Sequence, residues 1–171
     1  MKDPYVYPNT DVLINKLGTR DIEKLNNAEA DFTVVRMKEL DENPIKGQFD
    51  YEHLKKIHAY IFQDIFEWAG FERTINIEKP EYALKGISVD YAKVTQITPM
   101  INKALIILNE NNWQVINREE RVLKFTRLLS DVWRIHPFRE GNTRSILMFF
   151  YQFAEIKNIR LDKKLLSDNS E

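Results

Sequence analysis

The sequence of 171 residues has no cysteine and only five glycines. Without cysteine the chain has no disulfide, thiolate zinc site or cysteine nucleophile, which fits a reducing compartment such as the cytoplasm. No two glycines lie close together, which excludes the glycine-rich loops of Walker-type and dinucleotide-binding proteins. The sequence also lacks a secretory signal and the apolar run of about 18 residues that spans a membrane. The formal net charge is -1, so we expect no direct binding to nucleic acid or to a membrane.

Apolar residues recur at a helical period through most of the chain, which predicts a mainly α-helical single domain over residues 1–171. An extended arm over residues 1–18 comes first, with Tyr5 and Tyr7 expected to pack on the body. The helices are predicted over residues 19–42, 50–70, 90–109 and 118–135, with a fifth that begins near residue 142. The fifth helix is apolar on nearly every side, as is typical of the buried centre of a bundle.

Particular residues are predicted to set the ends and faces of these helices. Thr19 and Asp50 are suitable N-caps, and Gly70 suits the end of the second helix. Pro99 is expected to kink or interrupt the third helix. The apolar face of the first helix is predicted to comprise Ile22, Leu25, Ala28, Phe32 and Val35.

Between the second and third helices the pattern changes from a helical period to alternation. Residues 73–77 are predicted to form a short strand, 79–81 a turn, and the segment up to Gly86 a returning strand. Because a two-stranded hairpin alone is only marginally stable, we expect the hairpin 73–86 to lie against the helices or to be mobile.

The loop between the fourth and fifth helices carries the residues with the most informative chemistry. Gly141 permits a backbone shape or a close ligand approach that other residues do not. Asn142 is a suitable N-cap, which would leave the backbone N–H groups of residues 143–145 free. Free amides at the positive end of a helix attract phosphate, and the guanidinium of Arg144 suits two phosphate oxygens.

Two further residues of this loop indicate group transfer. His136 is suited to act as a base near neutral pH. Glu140 beside an anion site is best explained by magnesium, which commonly binds one or two carboxylates together with substrate phosphates. Phosphoryl or nucleotidyl transfer uses such a set of groups. The alternative is an ordinary surface loop, in which Pro137 and Gly141 break helices, Asn142 caps one, and the Arg and Glu side chains are solvated.

Residues 136–147, HPFREGNTRSIL, resemble the signature of the Fic family, His-x-Phe-x-(Asp/Glu)-Gly-Asn-Gly-Arg-x-x-Arg. The run 57–79 is similar to the family's helix and the hairpin that follows it, called the flap. The resemblance implies a Fic fold, a helical bundle around a buried central helix with one small hairpin flap. It also implies protein adenylylation, in which AMP moves from ATP to a Ser, Thr or Tyr hydroxyl of a target protein.

The resemblance also implies roles for individual residues. His136 would be the catalytic base, and Glu140 would hold Mg²⁺ between the phosphates of ATP. The residues that would bind nucleotide or phosphate are Gly141, Asn142, Thr143, Arg144, Arg139 and Lys79. For Lys79, an exposed lysine in a turn is an equal alternative. The flap would bind an extended segment of the protein target by strand addition.

The chain departs from the Fic signature at two positions. Thr143 replaces the second glycine, and its Cβ is expected to crowd a closely bound phosphate. Leu147 replaces the final arginine, which in the family reaches the γ-phosphate, and it is interpreted as a core residue. Residues 19–23 and 167–171 have the bare spacing of the family's inhibitory helix, but that helix normally pairs with the missing arginine. Control by a separate antitoxin protein, as in a toxin–antitoxin pair, stays open.

Two alternative functions remain compatible with the sequence. The same scaffold would transfer a different phosphate-containing group, either phosphoryl or another nucleotidyl group, if Thr143 and Leu147 alter the nucleotide site. A catalytically silent module would use the hairpin only to bind a peptide. Elsewhere, His58 is interpreted as a hydrogen-bonded core histidine and His53 as a solvated one.

Overall fold

The computed structural model describes residues 3–78 and 89–161. Within these residues the secondary structure is mainly α-helical, with one isolated antiparallel bridge between Val6 and Leu13, which confirms the prediction of a mainly helical protein. The α-helices are α1 (Ile22–Glu42), α2 (Tyr51–Phe62), α3 (Ile97–Glu110), α4 (Arg118–Ile135) and α5 (Asn142–Ile156). In this described part of the chain, no helix is both long and apolar enough to cross a membrane.

Helix α5 forms the centre of the bundle, as its composition predicted. It packs against α2 on one side and α4 on the other, while α1 packs on α2 and α3 on α4. Its buried side chains include three apolar ones that are fully inaccessible, Ile146, Phe149 and Phe153. Burial of large apolar side chains typically contributes about 1.5–3 kcal/mol each, so α5 is held rigidly along most of its length.

Helix α1 differs from its prediction in both its cap and its inward face. Asp21 is the N-cap, and its carboxylate accepts from two backbone N–H groups of the first turn. Thr19 lies outside the helix. The buried residues of α1 are Leu25, Thr33 and Leu40. Three residues of the predicted face are exposed, namely Ile22, Phe32 and Val35.

The ends of α2 and α3 agree with the sequence only in part. Asp50 caps α2 as predicted and accepts from the N–H of His53. The helix ends at Phe62, and Gly70, with φ 85°, lies in the turns that follow. Helix α3 begins at Ile97, so Pro99 lies in its first turn, where a missing N–H leaves no intrahelical bond unmade. The predicted interruption of α3 at Pro99 is therefore wrong.

The amino-terminal arm packs on the body of the protein, as predicted, and contacts the turns that follow α2. The ring of Tyr5 meets Trp68 edge to face at 5.4 Å, and the N–H of Lys16 donates to the carbonyl oxygen of Ile65 at 2.8 Å. The described part of the predicted hairpin, residues 73–78, contains no strand. The remaining hairpin residues, including Lys79, lie outside the described residues, so the hairpin itself stays a prediction.

Candidate active site

The loop from Phe138 to Asn142 is closed by the side chain of Asn142. Its amide oxygen accepts from the N–H of Phe138, and its NH₂ group donates to the carbonyl oxygen of Phe138, both at 2.8 Å. Asn142 is 2% exposed and is the first residue of α5, whose N-cap is Gly141. The prediction of Asn142 as N-cap is therefore wrong, since the side chain fixes the loop instead of the helix start.

Gly141 occupies a position that only glycine fits. Its φ is 74°, in the left-handed region where an L side chain is strained. A Cβ atom built on Gly141 would lie 2.1 Å from Cζ of Phe62. The predicted need for glycine is confirmed, and its cause is the close approach of the α2 phenylalanine.

The start of α5 presents backbone amides as predicted, with a shift of one residue. The first bond within the helix runs from the N–H of Ser145 to the carbonyl oxygen of Gly141 at 3.1 Å. By helix geometry the N–H groups of residues 142–144 then have no acceptor within the helix, and no side chain caps α5. Such a helix start binds anions.

His136 ends α4 with a left-handed backbone, φ 53° and ψ 62°. The residue is 4% exposed. Its ring contacts two aromatic side chains, with centroid distances of 4.2 Å to Tyr91 and 5.7 Å to Trp133. The indole N–H of Trp133 donates to the hydroxyl of Thr143 at 3.0 Å. His136 and the start of α5 therefore contact the same indole ring.

Glu140 lies between His136 and α5, and its carboxylate accepts from the N–H of Gly141 at 3.0 Å. Within the described residues, no group of three or more His, Cys, Asp or Glu side chains is arranged to hold a metal ion. A magnesium ion at Glu140 would therefore depend on phosphate oxygens for further ligands, which is how Mg²⁺ commonly binds.

His58 of α2 holds the same loop through a hydrogen bond to its backbone. Its Nδ1 accepts from the N–H of Gly70 at 2.8 Å, so Nε2 carries the proton and donates to the carbonyl oxygen of Glu140 at 3.0 Å. The ring stacks on Phe138 at 3.8 Å. Burial lowers the pKa of His58 to about 4. The prediction of a hydrogen-bonded core histidine is confirmed.

Both arginines of the loop pair with carboxylates. Arg144 donates to Glu29 and, at 3.2 Å, to the hydroxyl of Thr33, both on α1. Arg139 donates to Asp3 of the arm at 2.8 and 3.1 Å. Arg139 also lines a cavity of about 650 Å³ beside residues 74–78. The predicted contact of these two guanidinium groups with phosphate stays a prediction.

Sequence reasoning missed several residues that shape the site. It did not predict the buried Arg73, which donates to the carbonyl oxygen of His136 at 2.8 Å, or the contact of Trp133 with Thr143. His53, predicted as solvated, is 1% exposed and bonded to the carbonyl oxygen of Ile45, so that prediction is wrong. The alternation around Arg73 could have indicated that its side chain points inward. The bond between Trp133 of α4 and Thr143 of α5 has no corresponding pattern in the sequence.

Residues 48–154 match the sequence profile of the Fic/DOC family, which covers more than half of the chain and contains the whole loop. The chain belongs to the Fic/DOC family. The family resemblance of the signature is thereby confirmed, and the helical bundle around α5 is its Fic fold.

Similar proteins include both named enzymes and solved structures. The chain is 32% identical to the protein adenylyltransferase VbhT of Bartonella schoenbuchensis, over 94% of this chain and 32% of that protein. It is 28% identical to the probable protein adenylyltransferase Fic of Escherichia coli, over 90% of this chain and 72% of that protein. The crystal structure of BepC from Bartonella tribocorum with bound AMPPNP superposes with a TM-score of 0.77 at 26% identity, over 90% and 77% of the two chains.

The two departures from the Fic signature have different surroundings. Thr143 turns its hydroxyl to Trp133, so the side chain is held toward α4. Leu147 is half-buried and is not among the residues of the buried core, so its interpretation as a core residue is only partly correct. In this Fic protein the position of the signature's final arginine is thus occupied by Leu147, a half-buried apolar residue of α5.

Proposed function

We propose that the chain is a protein adenylyltransferase that moves AMP from ATP to a hydroxyl of a protein target. The observation that carries the proposal is the shared contact of Trp133 with His136 and Thr143, because it brings a base and an amide-rich helix start to one side chain. The names of VbhT and the Escherichia coli Fic protein support the same activity. Since the chain spans about a third of VbhT, the activity of the whole protein belongs to the proposal.

In the proposed reaction His136 takes the proton of the target hydroxyl at a ring nitrogen. The hydroxyl oxygen then bonds to the α-phosphorus, the bond from that phosphorus to the bridging oxygen breaks, and pyrophosphate leaves. Tyr91 lies over the imidazole at 4.2 Å, and the ring is almost inaccessible.

The nucleotide phosphates are proposed to lie at the start of α5. The N–H groups of residues 142–144 would donate to phosphate oxygens, while Gly141 supplies the left-handed turn that leads into the helix start. Glu140 would hold a magnesium ion, and the ion would neutralise phosphate charge when bound. Arg144 would contact a phosphate oxygen through N–H groups other than those bonded to α1.

A second candidate reaction is transfer of a different phosphate-containing group. The observation in its favour is that Leu147 replaces a signature arginine, so the γ-phosphate has one cation fewer to orient it. A nucleotide bound in another orientation would present another phosphorus to His136. The mass added to a target distinguishes the two reactions, since adenylyl transfer adds one AMP and phosphoryl transfer adds one phosphate.

Further parts of the proposal concern partners and extent. A protein target is proposed to bind along the segment that continues from residue 78. We also propose that the protein acts in the cytoplasm and that a separate antitoxin protein inhibits it. We also propose that residues 1–171 form one domain. The bonds of Arg144 to α1 and of Arg139 to Asp3 support this. Both arginines lie within the family match, whereas the carboxylates that they bond to lie before residue 48, where the match begins.

The decisive experiment is incubation of the protein with ATP, magnesium and a bacterial lysate, followed by mass spectrometry of AMP-modified peptides, including its own. Wild type should add AMP, and His136→Ala should lower the rate about 10²–10⁴-fold, as expected for a general base. His53→Gln is the matched control, since it alters a buried histidine outside the loop, and it should retain the wild-type rate. Equal modification by wild type and His136→Ala would exclude His136 as the base.

A further inference from the structure

Arg73 is a charged side chain in the interior of the protein. It is 1% exposed and is among the largest fully buried side chains. A buried guanidinium is stable only when its N–H groups are bonded. Here they donate to backbone carbonyl oxygens: Nε to His136 at 2.8 Å, Nη1 to Ile75 at 2.7 Å and Nη2 to Ala92.

These acceptors lie in three separate parts of the chain. His136 is the end of α4, Ile75 precedes the segment that starts at residue 79, and Ala92 follows it. The backbone N–H of Arg73 adds a fourth bond, to the carbonyl oxygen of Pro137 at 2.9 Å. One residue therefore holds two consecutive peptide groups of the signature loop and both flanks of the segment expected to bind the target.

The backbone of His136 requires such support. Its left-handed conformation is unfavourable for a residue other than glycine. Its carbonyl oxygen has no donor within α4, because helix geometry leaves the last carbonyls unpaired. A bond to this oxygen fixes the peptide plane between His136 and Pro137, and with it the direction in which the imidazole leaves the backbone.

We propose that Arg73 is a positioning residue, which directs the imidazole of His136 toward the reacting hydroxyl and fixes it relative to the flanks of the target-binding segment. The inference deepens the proposed function and rests on it for the reaction. Arg73 does not touch the nucleotide amides of α5 in this arrangement. Its loss should therefore affect the transfer step and leave nucleotide binding intact.

The test uses Arg73→Lys, which keeps the charge but replaces a planar fork with a single ammonium that cannot bond all these carbonyls. The chain has only three histidines, so their ring resonances are readily separated by NMR. In Arg73→Lys the resonances of His136 should shift, while those of His53 and His58 stay. His58 is the internal control, because it bonds to Glu140 of the same loop.

Kinetics supply the second readout. With ATP, kcat for AMP transfer should fall about 10–100-fold in Arg73→Lys, since small misplacements of a reacting group have effects of this order. The KM for ATP should stay within about threefold of wild type, because the amides of α5 are unchanged. Arg36→Lys is the matched control. This substitution weakens the ion pair between the partly buried Arg36 and Asp64. Because the pair lies far along the chain from the loop, the variant should keep the wild-type kcat.

The inference is overturned if the His136 resonances of Arg73→Lys coincide with those of wild type, or if all three histidines shift together. It is also overturned if kcat is unchanged. If the variant does not fold, the Nε proton of Arg73 in wild type decides, since fast exchange of that proton with solvent contradicts the bond to His136. A wild type that transfers no AMP but shows the protected proton and the selective His136 shift would refute the proposed function alone.

Discussion

Phe62 lies so close to Gly141 that the helix start and α2 touch without an intervening side chain. A Cβ on Gly141 would come within 2.1 Å of Cζ of this phenylalanine. The contact joins the predicted phosphate site to the core of the bundle. It also makes a substitution at Gly141 a test of how rigidly the site is held.

We expect Gly141→Ala to lower the free energy of unfolding by about 3 kcal/mol. The left-handed backbone accounts for about 1–2 kcal/mol and the clash with Phe62 for a similar amount. Urea unfolding measures the change. Gly18→Ala is the matched control, because Gly18 has φ 67° and no atom lies within 4 Å of its added Cβ. Its free energy of unfolding should fall only by the contribution of the left-handed backbone. Equal losses in both variants would contradict the role of Phe62.

Substitution of Thr143 tests whether this residue obstructs the nucleotide. Because its hydroxyl is held by Trp133, we expect Thr143→Gly to change the affinity for ATP less than threefold by calorimetry. Thr143→Val should lower stability by about 1 kcal/mol, since a half-buried indole N–H loses its acceptor. A rise in ATP affinity of tenfold or more in Thr143→Gly would mean that the threonine crowds the phosphate.

The pair of Arg144 and Glu29 joins α5 to α1 and is expected to stabilise the fold. The side chain of Glu29 is 12% exposed and that of Arg144 is 32% exposed. Glu29→Gln should lower the free energy of unfolding by about 1–2 kcal/mol, between the values for exposed and buried pairs. Glu52→Gln removes an exposed partner of Lys55 and should cost less than about 0.5 kcal/mol. A loss no larger than this control would show that the pair contributes nothing.

The depressed pKa of His58 predicts a pH dependence of stability. The folded protein holds His58 neutral down to about pH 4, whereas the unfolded chain takes up a proton near pH 6.5. The unfolded state therefore binds more protons in this window, and stability falls as the pH falls from 6.5 to 4 by about 3 kcal/mol. This contribution is fully present above pH 6.5.

Urea unfolding at several pH values measures that slope. His58→Gln should flatten it, because glutamine does not titrate, even if the variant is less stable at every pH. His53→Gln is measured for comparison. Because burial also lowers the pKa of His53, this variant should remove a part of the slope. An unchanged slope in His58→Gln would contradict the neutral buried state of His58.

The sequence predicted the parts of the fold that depend on local patterns. The apolar composition of α5, the cap at Asp50 and the need for glycine at 141 follow from burial, capping and backbone geometry within a few residues. The face of α1 could not be predicted in this way. Arg144 and other polar partners contact it, so apolar residues such as Phe32 and Val35 face outward.

The candidate site shows the same limit. The order of His136, Glu140 and Gly141 along one loop is a short-range pattern, and it indicated the chemistry. The side chain of Asn142 also acts locally, but capping and loop closure use the same atoms, and the sequence does not distinguish them. The alternation around Arg73 could indicate only an inward side chain. Its bonds could not be predicted, because their acceptors are backbone oxygens, which every residue has.

The carboxylate of Glu29 has a practical consequence for protein engineering. The family match begins at residue 48, after α1 has ended, yet an arginine of the signature is bonded to that earlier helix. A fragment limited to residues 48–154 would contain His136 and Gly141 but would leave the guanidinium of Arg144 without the carboxylate of Glu29. A fragment of this protein that is to keep this ion pair must therefore include α1.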